Sequence, residues 1–215
     1  MQRKHGIEAN SDVSIIDGGS VLVTVRAMKE SDYQQVRDVW VNTKGFKIRL
    51  IDDGQERICR FLRRNPGLSC VAVADGKIVG SILCGHDGRE GSFYHVCVRE
   101  EYRQRGIGEE MVNYCLAKLE GEEISRVSLI AFTQNEVGNQ FWKKLGWNIR
   151  KDSNGYDYMI NDDNIARTVI ANNNSSAHIA LHWDSTSSNK GAFYMGVPDV
   201  ASYKSMEPVA SNWKK

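Results

Sequence analysis

Apolar positions along the chain fall into two kinds of short run. Runs dense in β-branched residues and cysteine predict strands at Val21–Arg26, Ser69–Ala74, Lys77–Cys84, Ser92–Val98 and Arg126–Phe132. Runs that recur every three to four residues predict helices. The first opens at Ser31, a good N-cap, and sets Tyr33, Val36, Val39 and Trp40 on one face. The second, capped by Asp53, turns Ile58, Phe61 and Leu62 inward and Arg57, Arg60, Arg63 and Arg64 outward, the pattern of a solvated face or of an anion contact. The third carries Ile107, Met111, Val112, Cys115, Leu116 and Leu119, and the fourth, Glu136–Leu145, ends at Gly146.

Turn chemistry separates these elements. Asn65-Pro66-Gly67 stops the second helix, and Asp75-Gly76 marks a tight turn between two strands. Gly45–Ile51 reads as a short strand or an ordered loop. Trp147–Arg150 and Tyr156–Ile160 read as final strands, and Asp162–Ile170 as a last short helix. The pattern is weak at both ends. Residues 1–20 read as a flexible arm, 21–171 as one domain, and 172–215 as a mostly disordered tail with two apolar pieces, Ile179–Trp183 and Phe193–Val197. The order of elements is that of an α/β chain.

Composition narrows the function classes. The 215 residues carry 28 Lys+Arg against 27 Asp+Glu, a net +1, so no general basic surface for nucleic acid is expected. The five cysteines show no paired spacing for zinc or redox work, so they read as buried reduced thiols and no metal is expected. No apolar run is long enough to span a bilayer and no secretory signal is evident, so the expected location is the cytoplasm, away from membranes.

The candidate chemistry lies in the stretch Val96-Cys97-Val98-Arg99-Glu100-Glu101-Tyr102-Arg103-Gln104-Arg105-Gly106-Ile107-Gly108. It reads as a strand end, a glycine loop and a helix start. The first N–H groups of a helix lack partners inside it and sit at its positive end, which makes an anion site. Glycines allow close approach, and Arg103 and Arg105 add charge, while Glu109 and Glu110 in the first turn compete with an anion. Neither G-x-x-x-x-G-K-[ST] nor G-x-G-x-x-G occurs.

Arg103-x-x-Gly106-x-Gly108 resembles the [QR]-x-x-G-x-[GA] motif of the GNAT N-acetyltransferases. The run from Gly80-Ser81-Ile82-Leu83-Cys84-Gly85-His86-Asp87-Gly88-Arg89 through Gly108, with Asn135-Glu136-Val137-Gly138-Asn139-Gln140-Phe141-Trp142-Lys143-Lys144-Leu145-Gly146-Trp147, is similar to a bacterial YpeA-like branch of that family. The resemblance spans about Val21 to Ile170. It implies a central mixed sheet with helices on both faces, in which Phe93–Val98 and Val127–Phe132 are parallel strands that splay apart. It also implies acetyl-CoA as co-substrate. The pyrophosphate would sit on Arg103, Gln104, Arg105, Gly106, Ile107 and Gly108, and the pantetheine arm would lie along Val96, Cys97 and Val98. Asn135 matches the family's Asn after the fifth strand, and many members dimerise, so a homodimer is compatible with the resemblance.

Acetyl transfer to an amine needs a proton acceptor for the amine and a donor for the developing oxyanion. The family's general acid, a Tyr seven residues after that Asn, is replaced here by Trp142, whose indole is no useful acid. Tyr94 is the substitute candidate. His95 is the candidate base, because its ordinary titration range suits neutral pH. Strand alternation would put Tyr94 and His95 on opposite faces. His86, Asp87 and Arg89 form a turn that could meet substrate or merely shape a bend. Protein-acetylating members of that family often carry a Glu within the fifth strand, where Ile130 stands here, so the resemblance tilts toward a small-molecule primary amine. Cys97 as an acyl carrier is disfavoured, since no His–Cys–acid spacing supports it. The expected function is direct N-acetyl transfer. Its rivals are an acyl-CoA-binding regulatory protein with little catalysis and an interaction protein acting through its tail.

Overall fold

The strand-forming runs pair into one mixed sheet that the helices cover on both sides. The computed structural model describes residues 13–17 and 21–169. Its strands are β1 (Val13–Asp17), β2 (Val21–Ala27), β3 (Lys47–Arg49), β4 (Cys70–Ala74), β5 (Lys77–His86), β6 (Gly91–Val98), β7 (Val127–Leu129) and β8 (Ala166–Thr168). Its helices are α1 (Tyr33–Val41), α2 (Gln55–Arg64), α3 (Ile107–Gly121) and α4 (Glu136–Lys144). The main sheet runs β1-β2-β4-β5-β6-β7, with β3 and β8 forming a separate antiparallel pair. Every neighbouring pair in the main sheet is antiparallel except β6/β7.

Each face of the sheet has its own core, as the helical stripes require. Ile107, Met111, Val112, Cys115 and Leu119 of α3 pack with Val23, Ala72 and Val79 on one face, joined by Phe141 and Trp142 of α4 and by Leu145 just after it. Val36, Val39 and Trp40 of α1 and Ile58 and Leu62 of α2 pack with Val71, Ile78 and Cys97 on the other. Trp40, Ile82, Ile107 and Met111 are among the largest side chains fully removed from water, each stabilising the fold by roughly 1.5–3 kcal/mol on burial.

The structure departs from the sequence expectation at several elements. Val13–Asp17, inside the stretch read as a flexible arm, pairs antiparallel with β2. The expected cap Ser31 lies in a 3₁₀ turn, Glu30–Asp32, and α1 starts after it. There Asp32 is the residue that accepts the Lys29 N–H and pairs with Arg26. Trp147–Arg150 and Tyr156–Ile160 form no strand. Tyr156, Tyr158 and Ile160 alternate as a strand would, but they are 92%, 88% and 95% exposed, and β-propensity expresses itself only where a pleated surface is packed. The expected helix Asp162–Ile170 is replaced by β8, because Ala166–Thr168 finds Lys47–Arg49 as a pairing partner. Ile170 and the tail 172–215 lie outside the described residues.

Candidate active site

β6 carries the site because it is irregular. Ser81 pairs with Cys97 but Leu83 pairs with Tyr94, so β6 holds one extra residue at this point. His95 takes a φ of +51° there, uncommon for a residue with a side chain. A bulge of this kind re-aims side chains and breaks the alternation of faces. Phe93 and Val96 pack on the α3 side, whereas Tyr94 lies against Phe61 of α2 and His95 against Trp40 of α1. The expectation that Tyr94 and His95 face opposite ways is therefore overturned: both face α1 and α2.

His95 sits in an aromatic and acidic corner. Its ring centroid is 4.6 Å from that of Trp40, nearly edge-on, and 5.0 Å from that of Phe46. The Trp40 indole N–H donates to Ser81 Oγ at 2.9 Å, which locks the ring that packs on the imidazole. Asp53 Oδ1 lies 2.6 Å from His95 Nε2, with side-chain exposures of 8% and 20%. Asp53 is thus not the helix cap that the spacing suggested. Gly54 occupies the N-cap of α2, and the Asp53 side chain turns inward instead. Its Oδ2 accepts the Arg49 N–H at 2.6 Å, and its backbone carbonyl accepts the Tyr33 hydroxyl at 2.9 Å. No sequence signal pointed to this pair, since the two residues are 42 apart and meet only when the α1–α2 connection folds over β6.

That connection is held from outside. Asn164 is buried, its Oδ1 accepts the N–H groups of Ile51 and Asp52, and its Nδ2 donates to Asp52 Oδ2 at 2.6 Å. Val169 brackets Phe46 through Gly45 N–H to Val169 O and Val169 N–H to Phe46 O.

Beside this corner the sheet opens. Among the described residues β6 and β7 pair only over Gly91–Phe93 and Val127–Leu129, and β6 then runs on to Val98 with no described partner on that side. The Arg99 N–H bonds Val79 O on β5 at 2.8 Å. Strand alternation then directs the backbone groups of Val98 and Val96 the other way, into the gap. Lys47 Nζ stands 4.5 Å from the Phe132 ring, joining the α1–α2 connection to the chain leaving β7.

The loop that follows suits an anion. Gln104 and Gly106 take φ of +61° and +79°, and Gly106, the N-cap of α3, has open space where a side chain would stand. The first-turn N–H groups of α3 are thus presented at a bare surface. Arg103, Gln104 and Arg105 are exposed there, with Arg103 Nε bonded to Val98 O at 3.0 Å and the Arg105 guanidinium over Tyr102. Gly108 serves packing as well: a side chain there would meet the Phe141 ring at 3.2 Å. In the same turn, burial first and Glu109 second push the Glu110 carboxyl up.

The remaining candidates take structural places. Asn135 caps α4 by accepting the Gly138 N–H. Trp142 lies in an aromatic cluster, 4.9 Å from both Phe141 and Trp147. Burial pushes the Cys97 thiol up to about 11, so it is no thiolate nucleophile at neutral pH. Asp87 accepts the N–H groups of Arg89 and Glu90, a turn role, and those bonds hold its carboxyl below the usual range. Arg63 pairs with Glu30, while Arg57, Arg60 and Arg64 are exposed.

The family model described as Acetyltransferase (GNAT) family matches residues 33–147, more than half of the chain. This chain belongs to the GNAT acetyltransferase family. An acetyltransferase of Sodalis glossinidius is 28% identical over 126 residues, covering 59% of this chain and 87% of the relative. One of Pectobacterium atrosepticum is 29% identical over 121 residues, covering 56% and 84%. Among solved structures, the PaiA N-acetyltransferase of Thermoplasma acidophilum, in complex with coenzyme A, superimposes with a TM-score of 0.54 at 17% identity, covering 62% of this chain and 93% of that one. The aminoglycoside N-acetyltransferase AAC(6')-Iy, in complex with CoA, gives 0.52 at 15%, covering 65% and 96%. These likenesses show the fold. The GNAT match ends at Trp147, so Asn164 and β8, which brace the His95 corner, lie outside it.

Proposed function

We propose that this GNAT acetyltransferase moves an acetyl group from acetyl-CoA directly to a primary amine of a small molecule. The observation that carries this reading is the juxtaposition of an opened β6/β7 pair and bare α3 N-terminus with His95 at the β6 bulge. The exposed loop Arg103–Gly108 supports pyrophosphate binding. The backbone of Val96, Cys97 and Val98 supports an extended acyl arm along the gap.

In this reading His95 takes a proton from the incoming ammonium, and the neutral amine nitrogen attacks the acetyl carbonyl carbon. The C–S bond breaks and its electron pair leaves on sulfur. Tyr94, 51% exposed and on the same side as His95, donates a proton to the departing thiolate, and the second proton, shed by the acylated nitrogen as the amide forms, returns to Tyr94 through solvent. Trp142 takes no part, in keeping with its packing against Trp147. The buried, protonated Cys97 supports direct transfer over an acyl-enzyme. Five unpaired buried thiols fit a reducing compartment such as the cytoplasm. AAC(6')-Iy, named for an aminoglycoside acceptor, supports a small amine as acceptor class here. A homodimer is part of the proposal.

The test is a thermal-shift titration with acetyl-CoA, with ATP and NAD as controls, followed by a panel of amines scored by thiol release. A ligand bound only by the folded state must raise apparent stability. A shift with acetyl-CoA alone and turnover with a panel amine is the expected outcome. Absence of the shift in a folded protein would sink the donor assignment. A shift without turnover would favour the acyl-CoA-binding regulatory reading.

A further inference from the structure

We infer that Asp53 is the positioning residue of the transfer base: it holds His95 in the tautomer that leaves Nδ1 free to accept the amine's proton. This rests on the reading of His95 as base and adds to it which nitrogen works and what fixes it.

The argument is one of donors and acceptors. A carboxylate only accepts hydrogen bonds. Asp53 Oδ1 lies 2.6 Å from His95 Nε2, so in the neutral ring the proton of that bond sits on Nε2. The lone pair is then on Nδ1, which has no hydrogen-bond partner among the described residues. The ring cannot turn freely, being packed on Trp40 and Phe46. Asp53 is also oriented. Its Oδ2 is held by the Arg49 N–H, and its loop is pinned by Asn164 through the N–H groups of Ile51 and Asp52. A partner behind a working histidine commonly sets both tautomer and orientation.

The decisive measurement is ¹⁵N NMR of the full-length chain labelled at histidine, above the ordinary titration range of imidazole, with His95 assigned by His95→Gln. The expected result is Nε2 protonated and Nδ1 bare. In Asp53→Asn that preference should be lost, since a carboxamide can donate to Nε2. Asp53→Glu should restore it in part. Turnover with the acceptor found in the amine panel should fall about 10–100-fold in Asp53→Asn, with the acetyl-CoA thermal shift unchanged. Asn164→Ala, which only loosens the loop, should cost less.

A wild-type His95 protonated at Nδ1 would overturn the proposal without any variant. So would an Asp53→Asn protein that binds acetyl-CoA and keeps both tautomer and turnover. If His95→Gln retains turnover, the reading of His95 as base fails instead, whatever the tautomer.

Discussion

The two halves of the site are built on opposite principles. The Arg103–Gly108 loop is exposed, local in sequence and rich in backbone donors, and it demands little of its side chains beyond the positive φ at Gly106. The His95 corner is enclosed and depends on particular side chains, with Asp53, Trp40, Phe46 and Ser81 brought in from elements far apart along the chain. The difference is one of chemistry. A diffuse polyanion is held well by several backbone N–H groups and needs no single residue. A proton transfer needs one atom placed within hydrogen-bond reach, and that takes a packed shell.

The comparison breaks most directly at His95. His95→Ala should lower turnover by about 10²–10⁴-fold while acetyl-CoA still stabilises the protein. Loss of both together would mean that the halves are not separable. Gly106→Val is the converse. A β-branched residue at φ +79° costs about 1–3 kcal/mol, which corresponds to roughly 5–150-fold weaker acetyl-CoA binding by calorimetry if the loop gives way. Turnover at saturating acetyl-CoA should survive.

Smaller changes sharpen the contrast. Trp40→Phe removes the indole N–H from buried Ser81 Oγ and should cost about 0.5–1.5 kcal/mol of unfolding free energy, read by denaturant titration. It should disturb turnover more than acetyl-CoA affinity. Arg103→Ala removes an exposed cation, for about 1 kcal/mol of acetyl-CoA binding, and should make that binding less sensitive to salt.

Acid acts on the fold through the start of α1. Burial alone would push the Asp32 carboxyl up, but the bonds from Arg26 and from the Lys29 N–H outweigh it and hold it below its ordinary value. A carboxylate depressed in the folded state contributes stability in full above its unfolded pKa of about 3.9. That contribution is lost as pH falls through the folded value. An unfolding-midpoint series from neutral pH into that acid range should decline, and Asp32→Asn should show a shallower decline from a lower starting point. An equally steep decline in the variant would assign the acid sensitivity elsewhere.

Most elements before Trp147 and the glycine turn into α3 were legible because their causes are local. Gly106 and Gly108 after Val96–Val98, the stripe on α3 and the Asp75-Gly76 turn each act within a few residues, so pattern and spacing suffice. The segment after Trp147 was not legible. Alternating Tyr156, Tyr158 and Ile160 carry a strand signal that no neighbouring strand takes up, while Ala166–Thr168 became a strand because Lys47–Arg49 was there to pair with it.

The sequence alone determined a mixed α/β chain with a glycine loop opening α3, and offered His95 as a candidate base. Tertiary structure decided the surroundings of His95. One extra residue in β6 turned Tyr94 and His95 to the same face, and the folded α1–α2 connection delivered Asp53 to Nε2. Neither is encoded in any single stretch. A bulge is a mismatch between two strands, and a hydrogen bond across 42 residues exists only once the chain has closed the loop between them.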